Sequence, residues 1–198
     1  MVEIRRRNVA ITPLIKNKLR LRTQKWVIEN WAEELARRLT PNSPGCRVVE
    51  AILPCLDDWL VYRRGYVTFH SAQVISGHGC FGDYLCRIGK ERTTKCHECG
   101  AGRDSAQHTI SVCAAWSDER VVLAAELGNN LDLPAIIDAV VADDDKWEIF
   151  SSFCDHVMTL KEENERVRRE EVSQPILRIG TPVPLRGRRR VLAHLRPP

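Results

Sequence analysis

Residues 96–113 read CHECGAGRDSAQHTISVC. Three cysteines and two histidines fall within eighteen residues. Cys96, Cys99, His108 and Cys113 take the spacing Cys-x2-Cys-x8-His-x4-Cys. Zinc asks for four thiolate or imidazole ligands at tetrahedral corners. The Cys-x2-Cys pair is the tight turn that sets two thiolates on one side of an ion. Gly100 and Gly102 follow it, and glycine accepts the positive φ that such a turn needs. The five-residue step from His108 to Cys113 suits a turn or a short helical start. A full set of four protein ligands closes the site and leaves no position for a reacting water, so the zinc it predicts is structural. No catalytic residue is expected. Few apolar residues surround the cluster, so metal binding would carry much of the local folding free energy. His97 is a competing ligand, but its place beside Cys96 aims it elsewhere. His78, Cys80 and Cys86 precede the cluster; a second site there is weaker than a reading of the two cysteines as small buried residues.

Outward from the cluster the pattern is helical. Apolar positions Ile28, Trp31, Leu35 and Leu39 recur at spacings of three and four within a predicted helix from Leu14 to Leu39. The stretch TPNSPG (40–45) breaks it. A second helical stretch covers 46–63, with Pro54 kinking it or ending a first piece. Residues 66–76 fit strand and helix equally. Asp83 to Gly89 reads as a short helix closed by Gly89. Further helices are expected over Ser117–Leu127, Ala135–Val141 and roughly 145–171. Trp147, Phe150, Phe153, Val157 and Leu160 should line the buried face of the last one. Its second half, KEENERVRREE, carries charge on all sides and is expected to project into solvent. The segment 173–198 is rich in Arg and Pro, holds no acid, and is expected to be disordered. The fold class is therefore mainly α: a small helical domain stapled by one Cys-Cys-His-Cys zinc knuckle. The segments are a basic N-terminal helical region (1–45), a lead-in plus knuckle (46–118), an acidic helical region (119–172) and the tail (173–198).

Charge is distributed unevenly. Residues 1–64 hold 13 Lys/Arg against 7 Asp/Glu, whereas residues 121–172 hold 5 against 13. The tail adds 6 Arg. Two basic ends point to a polyanion, most simply nucleic acid. No apolar run approaches the roughly 18 residues of a membrane span, so no membrane partner is expected. No secretory signal is evident. The eight cysteines then read as metal ligands or buried thiols in a reducing compartment rather than as disulfides.

The run SGHGCFGDYLCRIGKERTTKCHECGAGRDSAQHTISVCAAW (76–116) resembles the C-terminal region of arthropod non-LTR retrotransposon reverse transcriptase and endonuclease polyproteins. The matching residues are Gly77, His78, Gly79, Phe81, Tyr84, Leu85, Arg87 and Gly89, then the four knuckle ligands, with Asp104, Ala106 and Trp116 in register. The likeness extends over 24–171. It implies nucleic-acid binding in target-primed reverse transcription, with RNA or DNA and the remainder of the polyprotein as partners. It also implies an intracellular, nuclear location with a cytoplasmic ribonucleoprotein stage. The family's polymerase motif, aromatic-Ala-Asp-Asp, is absent from this chain, which reads as a fragment or a truncated copy. On or just before the knuckle, Arg87, Lys90, Arg92, Lys95 and Arg103 are the candidate phosphate contacts. Tyr84 and Trp116 are candidate stacking residues that read more simply as core. A zinc-stapled interaction module with no nucleic-acid role is the alternative.

Overall fold

The computed structural model describes residues 12–41, 43–62 and 67–173. The first eleven residues of the basic N-terminal region and nearly all of the tail expected to be disordered lie outside the described residues. Nine α-helices are described, with no strand among the described residues. Helix α1 (Pro13–Arg38) begins where local chemistry says it should. The Thr12 hydroxyl accepts from the Ile15 N–H at 3.3 Å, and Pro13 occupies the first turn. Gly45, in a left-handed conformation with φ 78°, opens α2 (Cys46–Ile52). Pro54 then divides the second helical stretch, as its missing N–H requires. A 3-10 turn, Leu53–Cys55, separates α2 from α3 (Leu56–Tyr62).

The ambiguous stretch resolves as helix α4 (Phe69–Ser76). Thr68 and Ser71 form a reciprocal capping box, and the buried residues Ser71, Val74 and Ile75 follow helical spacing rather than alternation. Gly77, φ 72°, stops the helix. Then come α5 (Gly82–Arg87) and α6 (Ala106–Ser111), and a 3-10 turn (Ala114–Trp116) leading into α7 (Ser117–Leu127). Helix α8 (Leu133–Val140) starts earlier than its apolar pattern suggested, because Pro134 fits its first turn. Helix α9 (Asp144–Ser173) is the longest.

The core gathers on α9. It packs against α4, α7 and α8, while α2 lies on α8. Val74, Phe81, Ile110, Leu123, Ile137 and Phe150 are among its fully buried side chains. Trp147 sits edge-on between Trp59 and Phe150, with ring centroids 5.9 Å apart in each pair.

Two expectations about α9 are corrected. Leu160 does not line its buried face but is 38% exposed, and Met158 fills that place with no exposure. The charged half does not simply project: Lys161 is only 1% exposed and Glu165 is buried as well. The stripe from Trp147 through Phe150, Cys154 and Val157 continues in register onto Lys161 and Glu165. The register of the helix, rather than residue polarity, determines what faces inward. Trp31, on the expected apolar face of α1, is 56% exposed; α1 buries no residue fully, and its main contacts are with α3 and the 3-10 turn before it.

Candidate metal centre

The segment between α5 and α6 is a loop folded on its own backbone. The Cys96 N–H donates to Ala101 O at 2.8 Å, and the Gly100 N–H returns to Cys96 O at 2.9 Å. This turn needs Gly100 at φ 82°. Gly102 has neither a positive φ nor a close neighbour, so the turn makes no such demand of it. Helix α6 carries His108 and is capped by Ser105, whose hydroxyl accepts from the His108 N–H at 3.0 Å. Cys113 leaves the helix end with its N–H donating to His108 O at 2.9 Å.

These elements bring the four predicted ligands together. One donor atom from each of Cys96, Cys99, His108 and Cys113 lies within 4.8 Å of all the others. Cys96 Sγ and Cys113 Sγ are 3.8 Å apart, and Cys99 Sγ is 3.3 Å from His108 Nε2. A tetrahedron with thiolate bonds of about 2.3 Å has edges of about 3.8 Å. The four residues can therefore hold a metal ion. Cys96 and Cys113 are buried, whereas Cys99 and His108 are half-buried. Burial pushes the Cys96 and Cys113 thiols up. Burial also opposes ionisation of Cys99, but hydrogen bonding from the Ala101 backbone, Cys96, His108 and Cys113 outweighs it and brings this thiol to about 7. All eight cysteines are free of disulfides.

The residues that position this loop were not all legible beforehand. Lys161 reaches from α9 into its base. Its Nζ lies 2.9 and 3.2 Å from the two Asp104 carboxylate oxygens and 3.1 Å from Glu98 Oε2. The three N–H bonds of an ammonium thus meet three oxygens. Burial would favour the neutral amine, but Asp104 and Glu98 together raise the Lys161 pKa. Burial likewise disfavours the Glu98 carboxylate, and Lys161 more than offsets it, leaving the Glu98 pKa lowered. Asp104 also accepts from the Gly82 N–H at 3.0 Å and the Thr109 hydroxyl at 3.3 Å. Gly82 must be glycine here, since a Cβ would stand 2.7 Å from Thr94 O and 2.8 Å from Lys95 O. Cys96, Glu98 and Asp104 also cluster within 4.8 Å, but the Lys161 ammonium already supplies the cation between those carboxylates.

The competing ligands lie elsewhere. His97 Nε2 faces Glu91 at 3.5 Å. His78 is exposed and lies against Tyr84, with ring centroids 4.9 Å apart, and forms no metal cluster with Cys80 and Cys86 among the described residues. Those two thiols are half-buried rather than buried. Of the basic candidates, Arg87, Lys90, Arg92, Lys95 and Arg103 are all exposed. Arg87 lies 5.2 Å over the Tyr84 ring, and Arg103 pairs with Asp83 at 2.6 Å. Trp116 is buried, so it is core rather than a stacking surface. No helix is long and apolar enough to cross a membrane among the described residues. Compared with protein families, curated proteins and solved structures, the chain finds no match in any of the three.

Proposed function

We propose that the four-ligand cluster is a closed structural zinc site, and that the chain is the nucleic-acid-binding knuckle region of a non-LTR retrotransposon polyprotein. The observation that carries the zinc reading is the set of three sulfurs and one imidazole nitrogen within 4.8 Å of one another. That donor set suits a borderline-soft ion and selects against magnesium or calcium, which take oxygen ligands. Four protein ligands leave no open position, so the metal staples the loop and performs no chemistry. The retrotransposon reading rests on the resemblance over 76–116 and on the run of exposed cations leading into the site. Lys90, Arg92 and Lys95 present charge that neutralises phosphates without reading bases. In this reading the partners are RNA or DNA and the remainder of the polyprotein, acting in target-primed reverse transcription in the nucleus.

The test joins metal content with a titration. Purified chain should hold one zinc, and Cys113→Ser should lose it. Affinity for an oligonucleotide should fall steeply as salt rises. A well-folded chain without zinc would sink the metal reading. A zinc-loaded chain that ignores RNA and DNA at low salt would favour a module that only docks protein, for which Leu21, Trp26 and Trp31 on α1 leave apolar surface exposed.

A further inference from the structure

A cavity of about 730 Å³ opens beside the knuckle. Its walls come from the turn before α2, the end of α4, α5 and the start of α6, segments far apart in the chain. Arg47, Arg87 and Arg103 all line it, with His78 and Tyr84. Its single carboxylate, Asp83, is already paired with Arg103. The cavity therefore keeps a surplus of positive charge.

Arg47 is the unusual member. It passes beside Gly77, and its Nη1 donates to Gln107 Oε1 at 3.2 Å. The Gln107 amide is oriented by its own donation to Leu131 O at 2.8 Å, which turns Oε1 towards Arg47. The other edge of the guanidinium, Nε with Nη2, is buried and has no hydrogen-bond partner. Burial lowers the Arg47 pKa. A buried charge with unmet donors is costly. That free edge is the fork that matches two oxygens of a phosphate or carboxylate.

We propose that this cavity is a phosphodiester-binding cleft for single-stranded nucleic acid. A phosphate entering beside Arg47 meets its free edge once the guanidinium turns out of the cavity wall, with Arg87 and Arg103 adding charge at the mouth. The adjoining base lies on the exposed His78 ring, which Tyr84 backs at 4.9 Å between centroids and an interplanar angle of 32°. Imidazole and phenol rings are common stacking partners for unstacked bases. The inference rests on the nucleic-acid reading above and adds the contacts on α2 and at the end of α4.

The experiment uses the full chain and a short oligouridine carrying 4-thiouridine. Ultraviolet crosslinks should map to the peptide holding His78 and Tyr84. Arg47→Gln should weaken binding about tenfold and lower the salt slope by about one, and Arg47→Lys should recover only part. The crosslink is read on the unaltered chain, so it does not depend on the variants folding. Binding at the native affinity by Arg47→Gln, with crosslinks elsewhere, would overturn the cleft and leave the nucleic-acid reading standing. No binding at low salt would overturn both. A phosphoserine peptide that binds the cleft where RNA does not would also overturn the proposal.

Discussion

Helices α1 and α9 are the two long helices of the chain, and they are held in opposite ways. Helix α1 spans Pro13–Arg38 and buries no residue fully, and Leu14, Leu21, Trp26, Val27 and Trp31 remain exposed along it. Helix α9 buries Phe150, Cys154, Val157 and Met158 with no exposure, and then buries a lysine. The reason lies in what each helix meets. Helix α9 lies against α4, α7 and α8, and its later turns reach Glu98 and Asp104 in the metal loop. Helix α1 rests mainly on one short helix and a 3-10 turn. An amphipathic pattern is thus only an offer of burial; a facing surface accepts it.

Metal removal should break this contrast most strongly. In the proposed reading, a zinc held by these four residues would contribute on the order of 10 kcal/mol to the fold it closes. Stripping it with a chelator frees Glu98 and Asp104 and takes away the ceiling over the later turns of α9. Amide exchange read by mass spectrometry should then accelerate over 158–165 and stay unchanged along α1. Unchanged protection over 158–165 would show that the loop does not hold the helix.

Replacing Lys161 comes next. Lys161→Met strands two buried carboxylates and should cost about 3–5 kcal/mol in urea unfolding. Adding Glu98→Gln and Asp104→Asn should return part of that loss, because the stranded charges are then gone. A Lys161→Met chain as stable as the parent would mean that the ammonium is not the tie between α9 and the metal loop.

The smallest effect belongs to α1. Trp31→Ala should change stability by no more than about 0.5 kcal/mol, as for surface positions generally. A larger loss in a calorimetric melt would show that α1 is covered in solution.

Much of the candidate site was legible because its information is local. The cysteine and histidine spacing names the four candidate ligands, and Gly100 marks the turn between them. Helix ends were legible for the same reason where breakers act on their own neighbours, as TPNSPG does after α1 and Pro54 does between α2 and α3. Lys161 was misread because KEENERVRREE looks wholly solvated as a string. Its register with Phe150, Cys154 and Val157 was the available signal. The helix or strand choice at 66–76 was equally hidden until the Thr68–Ser71 box and the burial of Val74 and Ile75 settled it.

The sequence by itself determined the helical class, the candidate ligand set and most helix boundaries, since caps, breakers and ligand spacing act over a few residues. Only the tertiary structure decided that Lys161 goes inside and Trp31 stays out, and that Arg47 joins Arg87 and Arg103 around one cavity. Those outcomes depend on surfaces brought together from far along the chain: Lys161 meets partners 57 and 63 residues away, and Arg47 meets one 60 residues away. Burial of a charge is set by the partner that arrives, and no local pattern encodes that arrival.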